Sequence, residues 1–453
     1  MSSEWRDYLP RVEKLATSLG LSFNPVDFEA VPQSFMMEIS VYGLPVRMPH
    51  WSFGVRYIYQ LIQHQMGNSR LFEVVFPGNP GHAYLAQNNS LAENVLVTAH
   101  VLGHADFSRN NLLFHKAQSQ ISEHIVEHAA NHARQISRAI EEYGAERVEV
   151  VLDAALALEQ HIDTNHLLRR ERYPEYLATR PLHRDDEFAK RFALLDPEPE
   201  SSTMITRKKA PIPPHPEKDL LWFIAQYAPE LEGWERDIFL AVREESFYFY
   251  PVFATQIMNE GWASYWHARL LREADFMPQA AYVDAIKCHS DVVRPYGAEQ
   301  QIALQINPYH LGFTMWEKII ERDGIHAARD IMMQDDDFSF VRNYLDENLA
   351  EELNLFKYNA ESNGRIEVKQ ASIEDLHEAM LAPKYNFGAP SIAASHIAAD
   401  GSLELQHDHK VDGRGLDTQR GEKVLEYLHK VWRRPISLQT VDDKGETLVM
   451  KTH

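Results

Sequence analysis

The sequence SLAENVLVTAHVLGHADF, residues 90–107, indicates the architecture of the main domain. Ser90 followed three residues later by Glu93 has the form of a capping box, so a helix is predicted to begin here. This helix carries His100 and His104, which lie on one face because they are four residues apart. Two imidazoles on one helix face can bind a single metal ion, so the sequence predicts a metal site here.

Glycine at position 103 supports this interpretation. A glycine inside a helix costs roughly 1 kcal/mol relative to alanine, so Gly103 indicates that another element approaches the backbone closely at this point. The spacing alone is not specific, because histidines four residues apart also occur at His124, His128 and His132. We interpret those three as a solvated helix face.

A second segment, MNEGWASYWHARLL at residues 258–271, supplies a carboxylate ligand. Glu260 is followed one turn later by two small residues, which allow another helix to come close. Metallohydrolases with an H-x-x-x-H helix obtain their third ligand from a glutamate well downstream. We therefore predict that His100, His104 and Glu260 bind one metal ion.

The predicted ligand set is compatible with two metals. Two histidines and one carboxylate with open positions suit Zn²⁺, but they also describe the facial triad of non-haem Fe²⁺. We favour zinc because an H-x-x-x-H helix with a distant glutamate is the gluzincin arrangement. The single cysteine, Cys288, excludes a thiolate cluster and an intramolecular disulfide framework.

A hydrolase at this site needs a proton acceptor. The zincin motif has its general-base glutamate directly after the first histidine, where this chain has Val101. Glu245 is our first candidate, because REESFYFYPVF at residues 243–253 leads by a short connection into the segment with the third ligand. Asp106 ranks second, since it lies two positions, roughly 200° around the helix, beyond the second histidine.

Other polar residues are predicted to orient the ligands or to contact substrate. His267 lies two turns beyond Glu260, a rise of roughly 10 Å that is too long for both to bind one ion easily. Glu244 is next to the first candidate base. Asp153 and His161, in a following helical segment, are predicted to orient a ligand histidine.

The predicted fold class is α+β with two domains. Residues 1–360 are predicted to form a predominantly helical, zincin-like domain, in which residues 178–217 form an exposed loop or linker rich in Pro, Glu, Ser and Lys. Residues 364–453 read as β-α-β-β-α-β with an extra strand. This order is typical of a ferredoxin-like α+β domain.

Composition excludes several classes of function. The 66 acidic and 45 basic side chains give a net charge of −21, which argues against binding to nucleic acid or to an anionic membrane. No stretch approaches the roughly 20 apolar residues that span a bilayer, and no signal peptide is evident. We expect a cytoplasmic protein without membrane insertion. P-loop, dinucleotide-binding and serine-esterase motifs are absent from the sequence.

Several longer motifs resemble those of the SpoVR family, named for stage V sporulation protein R. They include YGLPVRMPHWSFG, AHVLGHADFSRNN, MNEGWASYWHARLL and NPYHLGF, and the resemblance covers most of the chain. It implies a cytoplasmic protein, a link to sporulation through the spore cortex, and a serine protein kinase and its associated proteins as partners. The family resemblance does not supply a reaction.

Three functional hypotheses follow. The leading one is a metal-dependent hydrolase of amide or peptide bonds, in a cell-wall pathway related to the spore cortex or in a stress pathway. The second is a non-catalytic pseudo-zincin in a serine-kinase-associated complex, which Val101 favours. The third is a non-haem iron oxidoreductase.

Overall fold

The computed structural model describes most of the chain, namely residues 3–65, 72–121, 124–165, 211–293, 307–355, 357–360, 366–369, 372–442 and 445–452. Of the loop predicted at 178–217, only residues 211–217 belong to these ranges, and the rest of that prediction lies outside the described residues. The described residues form an α+β structure with mostly helical segments, as the sequence predicts.

The helices of the described ranges are α1 (Leu9–Ser18), α2 (Gln33–Tyr42), α3 (Trp51–Gln65), α4 (Leu91–Asn110), α5 (Leu112–Gln120), α6 (Ile125–Tyr143), α7 (Ala145–Ala157), α8 (Leu220–Tyr227), α9 (Gly233–Ala254), α10 (Gln256–Glu273), α11 (Gln279–Val292), α12 (Pro308–Gln334), α13 (Asp337–Tyr344), α14 (Glu347–Glu352), α15 (Ile373–Leu381), α16 (His409–Asp412) and α17 (Thr418–Trp432). Short 3₁₀ helices occupy Ser3–Asp7 and Ala382–Gly388. The strands are β1 (Val26–Val31), β2 (Glu73–Phe76), β3 (Gly81–Ala86), β4 (Lys357–Ala360), β5 (Ile366–Lys369), β6 (Ile392–Ile397), β7 (Leu403–His407), β8 (Ile436–Val441) and β9 (Thr447–Lys451).

The chain divides into two compact units. The first comprises Met1–Gln160 with Glu232–Ala389, and the second comprises His161–Leu231 with Pro390–His453. Within the first unit, β3 is the central strand of a small mixed sheet, parallel to β1 and antiparallel to β2. Strands β2 and β3 both contact α4. The sheet therefore lies beside the helix that carries the two predicted histidine ligands.

The start of α4 confirms the predicted capping box. The backbone N–H of Glu93 donates to Ser90 Oγ at 3.2 Å, and the backbone N–H of Ser90 donates to Glu93 Oε2 at 2.7 Å. Two otherwise unpaired backbone donors of the first turn are thereby satisfied. The helix boundary, and with it the face that the histidines occupy, is thus fixed by local sequence.

Helices α4, α10 and α12 pack together through glycines. A Cβ added at Gly103 would lie 2.6 Å from the Cα of Ala263, so α10 touches the backbone of α4 at the point that the sequence predicts. Similarly, a Cβ at Gly312 would lie 2.1 Å from the carbonyl oxygen of Ile257, and one at Gly261 would lie 2.3 Å from the carbonyl carbon of Gly312. Only residues without a side chain allow these approaches.

The beginning of α10 is held by a buried carboxylate. Asp337 accepts hydrogen bonds from the backbone N–H groups of Ile257 and Met258, both at 3.0 Å, and its partner Lys384 lies 3.1 Å away. Burial raises the pKa of Asp337 to about 6, although Lys384 opposes this rise. These contacts fix the turn of α10 that carries Glu260.

The second unit contains a four-stranded sheet in the order β6-β7-β8-β9. The two outer pairs are antiparallel, whereas β7 and β8 are parallel and are connected through α17. Trp432 at the end of α17 is fully buried and stacks on Phe223 of α8. Glu217 forms an isolated bridge with Ala394 of β6, which ties the segment before α8 to this sheet.

The observed pairing differs from the ferredoxin-like order predicted for residues 364–453. Strand β5, predicted to be the first strand of that domain, pairs instead with β4 in a separate two-stranded sheet. Helix α15 contacts α13 of the first unit. The division between units therefore falls at Ala389–Pro390 and not near residue 360, because strand pairing and helix packing extend the first unit past the predicted boundary.

Within the residues that the structure describes, none of the helices combines the length and the apolar character needed to cross a bilayer.

Candidate metal centre

The three predicted ligands converge between α4 and α10. His100 Nε2 and His104 Nε2 are 3.0 Å apart, and Glu260 Oε2 lies 3.5 Å from each of them. Zinc bonds of about 2.0–2.1 Å in tetrahedral geometry place neighbouring ligand atoms about 3.3–3.4 Å apart. The three atoms thus have nearly the spacing of one face of such a tetrahedron. Across the described ranges, this is the one group of at least three His, Cys, Asp or Glu residues with ligand atoms all within 4.8 Å.

Glu260 Oε2 has no hydrogen-bond donor. The atom is buried, and His100 Nε2 and His104 Nε2, each 3.5 Å away, do not donate to it in hydrogen-bond geometry. A buried carboxylate oxygen without a donor is costly, because it has lost its hydrogen bonds to water. A cation between the three atoms would remove this cost.

Hydrogen bonds behind the histidines indicate which nitrogen faces the site. His104 Nδ1 lies 2.8 Å from Asn259 Oδ1, which can only accept, so Nδ1 carries a proton, and in the neutral imidazole Nε2 is then bare. His100 Nδ1 lies 3.0 Å from His267 Nδ1, and His267 Nε2 lies 2.6 Å from His289 Nδ1. A consistent assignment gives His100 its proton on Nδ1, which leaves its Nε2 bare as well.

The electrostatics of the site favour a positive charge. Burial by itself would raise the pKa of Glu260, but the charge of His104 and the contacts with both histidines outweigh it, and the pKa falls well below its ordinary value. Burial likewise opposes charge on His104, but the Glu260 carboxylate outweighs burial and raises the pKa of His104. The site therefore stabilises an ionised carboxylate beside a proton or a metal cation.

Two functional candidates at this site are absent from the sequence predictions. Burial raises the pKa of Glu73 on β2. The charges of His100 and His104 lower this pKa, whereas the charge of Glu260 raises it. The charge of Glu260, together with burial, raises the pKa of Tyr309 well above its ordinary value, and the Tyr309 ring stacks on His100 with centroids 6.1 Å apart.

Tyr309 and Glu73 differ in whether a sequence motif indicates them. Tyr309 lies in NPYHLGF, one of the motifs behind the family resemblance, although that motif reads as a rigid turn before a helix. Asn307 indeed caps α12 by accepting from the backbone N–H of Tyr309 at 3.0 Å. Glu73 lies outside every motif, so only strand pairing reveals it.

Comparison with known proteins identifies the family. The family model described as "SpoVR like protein" matches residues 2–383. The chain belongs to the SpoVR family. It is also 27% identical to the uncharacterized protein YcgB of Escherichia coli (strain K12), over 97% of this chain and 92% of that protein. No solved structure matches, so the zincin-like comparison stays a prediction.

In this SpoVR-family chain, Asp106 has a different environment from the one that a general base needs. It is fully buried and accepts hydrogen bonds from the backbone N–H of Ser22 at 2.7 Å and from Trp262 Nε1 at 2.9 Å. Arg329 lies 3.3 Å from the same carboxylate. Asp106 thus links α4 to Trp262 of α10 from the side away from the histidines, which is an anchoring contact.

Glu244 and Glu245 belong to a second polar cluster. Glu244 lies 2.6 Å from His128 Nδ1 and 3.4 Å from His132 Nε2. Glu245 is fully buried and accepts from Arg47 Nε at 2.6 Å, with His132 Nδ1 3.6 Å away. Histidines of α6 therefore contact carboxylates of α9, and this helix face is not simply solvated. Glu245 is engaged by a buried arginine, which leaves it a poor choice as a mobile base.

His132 makes the stability of this cluster depend on pH. Burial opposes its charge, but Glu244 and Glu245 raise its pKa from 6.5 to about 9. Because the folded state holds the proton more tightly, the stabilisation is full below pH 6.5 and is lost as the pH rises through about 9.

We expect the thermal midpoint to fall over this range, and to fall less in His132→Gln. The exposed His326→Gln is the control, and equal slopes in both variants would contradict the assignment.

Of the two residues predicted to orient a ligand histidine, Asp153 pairs with other groups and His161 belongs to the second unit. Asp153 accepts from Trp51 Nε1 at 2.8 Å and pairs with His50 Nε2 at 3.0 Å, so it fixes the start of α3. His161 belongs to the second unit, where both ring nitrogens are buried without a hydrogen-bond partner and burial lowers its pKa to about 4. By contrast, His267 directly contacts His100.

Proposed function

We propose that this protein is a zinc-dependent hydrolase of amide or peptide bonds, with His100, His104 and Glu260 as the metal ligands. The observation that carries the proposal is the buried Glu260 oxygen without a donor, 3.5 Å from two imidazole nitrogens. Three lone-pair donors facing each other in a buried site repel unless a cation lies among them. Histidine nitrogen and carboxylate oxygen are the donors that zinc takes in catalytic sites.

When bound, zinc would polarise a carbonyl oxygen and lower the pKa of a water molecule. The chain's own residues account for the other requirements of hydrolysis. Glu73 is suited to accept the proton of the attacking water, because its raised pKa brings it nearer to neutral pH. Tyr309 keeps its phenolic proton because its pKa is raised, so it can donate a hydrogen bond to a developing oxyanion.

Glu73 also bears on the non-catalytic alternative. The main reason for a pseudo-zincin is that Val101, which is fully buried, cannot transfer a proton. A carboxylate that interacts electrostatically with all three ligands removes that reason, because the base need not come from the ligand helix. We therefore favour hydrolysis over a purely structural metal.

The wider setting of the reaction follows from family membership alone. We place the substrate among cell-wall amide bonds, in a pathway related to the spore cortex or to stress. A cytoplasmic location and a serine protein kinase with its associated proteins as partners belong to the same proposal. The local geometry around the ligands is independent of these assignments.

The direct test is hydrolysis by metal-free protein reloaded with Zn²⁺ or Fe²⁺. We expect the zinc form to cleave amide bonds in a panel of cell-wall peptides, and we expect chelation or Glu260→Gln to abolish cleavage. Oxygen consumption by the iron form would favour the oxidoreductase, since the same donor set suits non-haem iron. Tight zinc binding without cleavage of any substrate would favour the non-catalytic alternative.

A further inference from the structure

Helix α3 carries a stripe of exposed apolar side chains. Trp51, Val55, Ile58, Tyr59 and Ile62 are between 48% and 61% exposed. Exposed apolar residues are normal when scattered, but a contiguous row of five marks an interaction surface. Trp51 is also held rigidly, because its indole N–H donates to Asp153 at 2.8 Å.

The spacing of the stripe is that of a helix-pairing seam. Positions 51, 55, 58 and 62 are separated by four, three and four residues, which is the a/d pattern of a coiled coil. Because this spacing reads the same in both directions, an antiparallel second helix brings Trp51 opposite Ile62 and Val55 opposite Ile58. A seam with this property is complementary to itself.

Gly54, at the edge of the stripe, is not explained by any neighbour among the residues that the structure describes. A Cβ added there would meet nothing within 4 Å, yet glycine inside a helix costs about 1 kcal/mol relative to alanine. Elsewhere in this protein, glycines at helix contacts admit a neighbouring backbone, as Gly103 does. A helix of another molecule that packs here would give Gly54 the same role.

The charges beside the seam do not oppose a second copy as the occupant. The chain has a net charge of −21, but residues 46–65 contain no acidic residue. In coiled coils, charges beside the seam select partners. Here the positions beside it are Ser52, Gly54, Tyr59 and Leu61, which carry no charge. Nothing in the seam therefore opposes pairing with an identical helix.

We propose that the protein forms a two-fold symmetric dimer through antiparallel pairing of α3. The five stripe side chains expose about 500 Å² per copy, so the pair would bury about 1,000 Å², the lower end for a specific interface. Interfaces smaller than about 1,200 Å² are typical of weak and transient complexes, so we expect a dimer that dissociates on dilution. This inference is independent of the metal site.

Sedimentation velocity of the full chain over a range of concentrations tests the dimer. The wild type is expected to show a monomer–dimer equilibrium, and Ile58→Asp to raise its Kd by at least about a hundredfold, because two carboxylates enter an apolar seam. Ile286→Asp is the matched control, since Ile286 is an exposed isoleucine on another helix, 41% accessible. It should leave Kd unchanged.

Gly54→Gln provides an independent second variant. In the monomer the new side chain has open space, so the thermal midpoint at low concentration should not fall. In the dimer it blocks the approach of the second helix, and Kd should rise at least about tenfold. A wild type that stays monomeric at all concentrations overturns the proposal. So does a dimer that tolerates Ile58→Asp or Gly54→Gln.

Discussion

Glu73→Gln is expected to lower turnover by about 10²- to 10⁴-fold, the usual loss when a general base is removed. Glutamine keeps the shape of the side chain but cannot accept a proton at neutral pH. Because Glu73 is not one of the three clustered ligand residues, zinc content should be unchanged. The measurement is kcat/KM on the best amide substrate together with zinc per chain.

Glu29→Gln is the matched control for this variant. Glu29 lies on β1 of the same sheet but is exposed, so its loss should leave both turnover and zinc content unaltered. Loss of zinc in Glu73→Gln would make Glu73 a ligand instead of a base. Full activity in that variant would remove it from the mechanism.

Gly312→Ala is expected to lower the free energy of unfolding by about 3 kcal/mol or more, because overpacking of this kind forces backbone to move. The new methyl group would lie 2.1 Å from the carbonyl oxygen of Ile257 and 2.9 Å from the Cα of Gly261. Neither is a flexible side chain, so α10 and α12 must separate. Urea denaturation of the metal-free protein measures the effect without the contribution of bound zinc.

Gly233→Ala is the control for this substitution. Gly233 is the first residue of α9, and a Cβ there would meet nothing within 4 Å. Its free energy of unfolding should stay within about 0.5 kcal/mol of the wild type. If both glycine variants unfold alike, the close approach of α10 and α12 does not limit stability.

Local signals in the sequence are enough to predict much of the candidate metal site. The Ser90–Glu93 capping box sets where α4 begins, and the four-residue spacing then places both histidines on one face. Gly103 indicates that a neighbour comes close, and that neighbour is Ala263 on the helix of Glu260. Each of these features depends on residues a few positions apart, so pattern reasoning can find them.

Features that depend on distant pairings are not accessible in this way. Glu73 interacts electrostatically with the ligand residues because β2 pairs with β3 and both strands contact α4. Glu245 is close to Glu260 in sequence, but it pairs with Arg47, which is 198 positions away. Likewise, β5 has the alternation of a strand, yet alternation does not specify its partner, which is β4 and not the four-stranded sheet.

Zinc bound per chain is the measurement that tests the central claim most directly. Purified wild type, His104→Ala and the exposed-histidine control His326→Ala are loaded with zinc, dialysed and analysed by plasma mass spectrometry. We predict about one zinc per chain in the wild type and the control, and none in His104→Ala, because a site of two protein ligands holds zinc poorly. Equal zinc content in all three proteins would contradict it.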